Sequence, residues 1–143
     1  MNLSYWEYDT WLSNVDFTII GSGIVGLNCA LRLKEKFPKA KVLILERGFL
    51  PNGASTKNAG FATFGSISEL LADLNNHSEE EVLGLVKNRL KGLELLRKNL
   101  GDDVIRYQQW GGTELFAQGE EALLEQCLQG EERINILLQP LFG

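Results

Sequence analysis

Cysteine is scarce. The 143 residues hold two, Cys29 and Cys127, far apart in the chain. That excludes a disulfide framework and any metal-ligand spacing, so no metal is expected. No run of basic residues occurs, and the net charge is -5 with a pI near 4.9. Both argue against nucleic acid as a partner, because a phosphate backbone is normally met by a basic face. No stretch reaches the ~18–20 consecutive apolar residues of a membrane span. Residues 1 to 14 hold Glu7 and Asp9 but no lysine or arginine, which excludes a secretory signal there. A cytoplasmic protein is the resulting expectation. Internal repeats and low-complexity tracts are also missing. What remains is 44% hydrophobic and 23% charged. That composition suits a folded globular chain, long enough to bury a core.

Local signals then divide the chain. Ser4-Tyr5-Trp6-Glu7 reads as a capping box, predicting a short helix to about Ser13 with Trp6 and Trp11 packed on the body. Val15 to Ile20, β-branched and aromatic, predicts a buried strand. Ile24 to Phe37 predicts a helix with Leu27, Ala30, Leu31 and Leu33 in its apolar stripe, ended by Pro38. Lys41 to Leu45 predicts a second strand, closing on Glu46. From Arg47 to Gly65 the chain is a loop rich in Gly, Ser, Thr and Asn, with a helical turn after Ser55. Two further S-x-x-E starts, at Ser66 and Ser78, predict helices to about Asn75 and Leu100, with Gly101 closing the second. Ile105 to Gln109 and Thr113 to Phe116 read as two strands joined at Gly111-Gly112. Glu120 to Leu128 reads as a helix, followed by an apolar end from Ile134.

The segment Gly21-Ser22-Gly23-Ile24-Val25-Gly26 is G-x-G-x-x-G. Alone it is a weak signal. Here it follows a predicted strand, opens a predicted helix and precedes a second strand that ends in an acid, which together make a dinucleotide fingerprint. Gly21 allows the tight turn, Gly23 lets a pyrophosphate approach the backbone, and Gly26 lets helix and strand pack closely. The freed amides and the helix dipole favour phosphate by a few tenths to ~1 kcal/mol. Glu46 stands where a carboxylate can accept from both ribose hydroxyls, which disfavours NADP and its 2′-phosphate, although the adjacent Arg47 softens that argument.

The fingerprint does not separate FAD from NAD. Its place near the start of the chain favours FAD, and so does the loop Gly53-Ala54-Ser55-Thr56-Lys57-Asn58-Ala59-Gly60-Phe61-Ala62. An NAD unit normally runs from the acid into another helix and strand. This loop of small hydrogen-bonding residues instead suits a second phosphate and a flat ring. With DFTIIGSGIVGLNCALRL, VLILERG and GASTKNAGF, the chain resembles the D-amino-acid-oxidase-like superfamily of FAD-dependent oxidoreductases, well over about residues 15 to 65 and more loosely beyond.

The resemblance implies an α/β fold: a Rossmann-like FAD-binding βαβ unit with added helices and the start of a second, substrate-type β region. It implies domains at 1–103 (FAD-binding) and 104–143 (the beginning of a substrate domain). It implies FAD as cofactor and hydride transfer to flavin from a small amine, amino acid or hydroxy acid. Gly21, Ser22, Gly23, Ile24, Val25, Gly26, Glu46, Arg47, Ser55, Thr56, Lys57, Asn58, Ala59 and Gly60 are the candidate cofactor contacts. Lys57 reads equally as a solvent-facing lysine, and Asn58 also as a turn former. The family's C-terminal flavin-closing segment is missing, and the apolar stretch Leu137 to Phe142 ends the chain. A fragment, inactive by itself, is therefore expected.

No residue is assigned a catalytic role. The single histidine, His77, reads as a helix-flanking surface residue, Cys29 as a small core residue, and Trp110 as a packing residue or a border of a substrate pocket. Two other readings stay open: a noncatalytic nucleotide-binding or interaction module, and an NAD-dependent oxidoreductase.

Overall fold

The computed structural model describes residues 3–142. The chain forms two compact units, Met1–Phe61 and Ala62–Gly143. Together they are helix-rich, with one two-stranded parallel sheet among the described residues.

In the first unit, helix α1 (Tyr5–Glu7) starts at the expected capping box. Ser4 Oγ accepts from the Glu7 amide at 3.2 Å, and Glu7 Oε2 accepts from the Ser4 amide at 2.8 Å. The turns then widen into a π-helical stretch, Tyr8–Leu12. The indoles do not pack as expected: Trp6 is 74% and Trp11 54% exposed. The segment is held instead by hydrogen bonds from Lys41 Nζ to the carbonyls of Thr10 (2.7 Å) and Ser13 (2.6 Å).

Strands β1 (Phe17–Ile20) and β2 (Val42–Leu45) run parallel, with Phe17 opposite Val42 and Ile20 opposite Leu45. Such a pair needs a crossover, and helix α2 (Ile24–Lys36) supplies it. Asp16 Oδ2 accepts from the Lys41 amide at 2.8 Å, closing the far end of the ladder. At the end of α2, Lys34 Nζ donates to the carbonyls of Pro38 (2.7 Å) and Ala40 (2.9 Å). A lysine there complements the negative end of the helix dipole. The expectation that β1 is buried is corrected. Its residues alternate between half-buried and exposed in a narrow, two-stranded sheet on which α2 packs.

The second unit holds the core. Helix α3 (Ile67–Leu74) and helix α4 (Glu79–Leu100) both begin with complete capping boxes, at Ser66 and Ser78. Gly101 ends α4 at φ +82, where glycine is favoured. Leu70 of α3, Val82 and Val86 of α4, and Ile134 and Leu138 of the last helix form the buried cluster.

Two expectations fail here, each for a physical reason. The strand pair at 105–116 does not form, so no second β region begins in the described part of 104–143. A short helix, α5 (Asp102–Ile105), occupies its start. Arg106 then adopts a left-handed conformation (φ +51), and the Tyr107 amide returns to the Asp102 carbonyl at 2.9 Å. This helix-terminating turn consumes the amides a strand would need. The Arg97 guanidinium lies 4.2 Å from the Tyr107 ring centroid and pairs with Asp102, which fixes the turn. Further along, Glu114 ties the segment to the start of α3. Its carboxylate accepts from the Ser66 and Ser68 hydroxyls and the Ser68 amide. Secondly, the last helix, α6 (Glu121–Phe142), runs well past Leu128. Cys127, Ile134 and Leu138 stay in helical phase on one face and are buried, so packing carries the helix through Gly130.

The expected domain division at 103/104 falls inside α5. Among the described residues no helix is long and apolar enough to cross a membrane. Leu70 is 1% exposed. Leu70→Ala is expected to destabilise the second unit by about 2–5 kcal/mol, read as a lower urea midpoint. A midpoint equal to the unmodified protein's would contradict this packing.

Candidate cofactor site

The site starts from backbone geometry. Beyond β1 the Gly21 amide still donates to the Leu45 carbonyl, at 2.7 Å. Gly21 has φ +94, so the chain leaves the strand in a conformation that favours glycine. Five residues on, a Cβ at position 26 would stand 2.1 Å from the Gly21 carbonyl oxygen and 3.3 Å from Ile19 Cγ2. Helix and turn are in backbone contact here, and no side chain fits between them. At position 23 a Cβ would meet Ser55 Oγ at 3.1 Å, so the space over Gly23 is bounded by the loop's serine.

This packing delivers the first amides of α2 to one place. A helix start leaves its first amides without intrahelical partners. The Ile24 amide donates to Ser55 Oγ at 2.9 Å. The Ser22 amide donates to Glu46 Oε2 at 2.9 Å, and the Ser22 hydroxyl donates to the same oxygen at 2.8 Å. The Gly48 amide donates to Glu46 Oε1 at 3.2 Å. The Ser22 amide, then its hydroxyl, then the Gly48 amide lower the Glu46 carboxyl from its ordinary 4.5 to about 2. Donors to a carboxylate favour the charged form. Glu46 is therefore an anion at every physiological pH.

Ile24 and Val25 are 51% and 80% exposed. What these two residues bring to the turn is backbone. Arg47 is exposed. In the loop, Ala54–Thr56 form a single 3-10 turn, centred on Ser55 and not following it as expected. Thr56 Oγ1 donates to the Gly53 carbonyl at 3.1 Å. Asn58 Nδ2 donates to the Ser55 carbonyl, and Asn58 Oδ1 accepts from the Gly60 amide, both at 2.8 Å. Lys57 and Ala59 are exposed.

Five of the sequence candidates thus meet: Ser22, Gly23, Ile24, Glu46 and Ser55. Arg47, Lys57 and Ala59 do not join them through side-chain hydrogen bonds among the described residues. The Gly48 amide is an added donor that the motif does not point to; its one signal is its place two residues after the acid. Amide and hydroxyl donors beside a carboxylate acceptor can take a phosphate and a sugar diol together.

The family model described as FAD dependent oxidoreductase (DAO) matches residues 16–139. No curated protein and no solved structure matches the chain significantly.

Two outcomes follow from the geometry. Gly26→Ala is expected to cost about 1–3 kcal/mol in denaturant unfolding, because backbone must move to admit the methyl; an unchanged midpoint would refute the contact. The bonds to Glu46 lower its carboxyl in the fold, so their stabilisation is complete above pH 4.5 and is lost as pH falls toward about 2. Ser22→Ala removes one of those donors and should move the Glu46 carboxyl titration upward, followed by its carboxyl carbon NMR shift. An unmoved titration would show the hydroxyl is no partner.

Proposed function

The chain belongs to the FAD dependent oxidoreductase family, and from that premise we propose that it forms the cofactor-holding part of an enzyme oxidising an amino acid, amine or hydroxy acid. In this reading residues 1–103 are a Rossmann-like FAD-binding region, and residues 104–143 begin the part that meets substrate.

One observation carries the proposal: the turn in which position 26 admits only glycine brings the Ser22 and Ile24 amides together beside an ionised Glu46. Gly21, Ser22, Gly23, Ile24, Val25 and Gly26 would hold the pyrophosphate and ribose of the ADP half, with Glu46 accepting from the ribose diol and Arg47 at the rim. The backbone of the segment from Ser55 through Thr56, Lys57, Asn58 and Ala59 to Gly60, with the exposed Lys57 side chain, would face the pyrophosphate and flavin. The donor set fits such a group. It offers amides, hydroxyls and one carboxylate, and the permanent charge of Glu46 opposes a 2′-phosphate.

When bound, the flavin supplies a hydride acceptor for the C–H beside the substrate's nitrogen or oxygen. The residues of this chain hold and orient it. Binding exchanges an internal partner for a ligand one at Glu46, which must give up Ser22 wherever the ribose takes its carboxylate.

The test is direct titration of the purified chain with FAD, followed by flavin fluorescence. The unmodified chain is expected to bind, and Gly23→Val to lose binding, because its side chain fills the approach and pushes on Ser55. Tight NAD with no flavin, or unchanged FAD affinity in Gly23→Val, would overturn the reading.

A further inference from the structure

We infer that Ser55 and Asn58 are positioning residues: their side chains set the 53–60 segment on the start of α2 before any nucleotide arrives. The inference rests on the FAD reading for the identity of the ligand, while the clasp itself stands on contacts within the chain.

Both polar ends of the Asn58 amide are used inside the segment. Its nitrogen holds the Ser55 carbonyl and its oxygen holds the Gly60 amide. Those bonds close a turn in which Gly60 sits at φ +77, a conformation that favours glycine. Ser55, so placed, spans 31 positions to accept from the Ile24 amide. Thr56 turns its hydroxyl back to Gly53. The segment therefore spends its neutral side-chain hydrogen bonds on its own shape and on one attachment to the glycine-rich turn. The exposed Lys57 is left to meet a ligand. A segment fastened in advance need not be ordered on binding, which lowers the entropic cost of association.

The test uses Ser55→Ala, Ser55→Thr and Asn58→Ala in the whole chain, with ADP as the probe. Without nucleotide, Ile24 amide hydrogen exchange is expected to quicken roughly tenfold in Ser55→Ala, the scale of one hydrogen bond, and to recover in Ser55→Thr. The β1–β2 ladder amides should stay unchanged in both. Asn58→Ala should quicken Gly60 and Ile24 together. With ADP, the association rate should fall roughly tenfold in Ser55→Ala while dissociation barely moves, because the loss is of preorganisation. Unchanged Ile24 exchange with faster ADP dissociation would make Ser55 a direct contact and overturn the proposal. If the unmodified chain takes up neither ADP nor FAD, the functional reading falls, and Ile24 exchange in Ser55→Ala still decides the clasp.

Discussion

The approach of α2 to the turn before it governs the first unit. A methyl group at position 26 would overlap the Gly21 carbonyl oxygen, so the helix begins in contact with the chain that leaves β1. From this contact follow the position of the Ser22 amide, the position of the Ile24 amide and the narrow space over Gly23. The parallel ladder depends on it too, since α2 must return the chain to lay β2 beside β1. The contact is steric and backbone-to-backbone. Packing of this kind is felt at the level of single methyl groups and has little slack.

The turn also satisfies its own polar groups. Helix starts carry partial positive charge and unpaired donors, and they attract anions. In this fold the nearest anion is the chain's own Glu46, and the nearest neutral acceptor is its own Ser55. Glu46 gains from this, since its charged form collects three donors. The second unit repeats the device at α3, where Glu114 collects the Ser66 and Ser68 hydroxyls and the Ser68 amide. There too hydroxyl donors hold the carboxyl below its ordinary range. Both carboxylates come from distant positions in the chain, and both fasten a loop to a helix start.

What could be read from the residues was local. Capping boxes at Ser4, Ser66 and Ser78 depend on four-residue windows, and all three form. The glycine spacing and the flanking apolar runs suffice for the βαβ frame. The strand pair expected at 105–116 fails through partners that composition does not show. Residues 105–116 look extended by composition, yet the Arg106 turn and the Glu114 ties, 46 and 48 positions away, decide their course. Gly130 lies within α6, beyond the helix expected to end at Leu128. It lies against α3, where a Cβ would meet Leu71 at 2.7 Å, so its smallness is used for close packing. In the candidate site, Ser22, Glu46, Ser55 and Ile24 are each legible as candidates. Their pairing with one another is not, because the partners are 24 and 31 positions apart.

The exposure of Ile24 and Val25 has a consequence for anyone redesigning this turn. Their side chains point largely to solvent while their amides open the helix. Identity at these two positions is thus uncoupled from donor geometry, whereas position 26 tolerates one residue only. Variation in a library should be concentrated on 24 and 25, where hydrophobicity and solubility can be tuned without touching the backbone that shapes the turn.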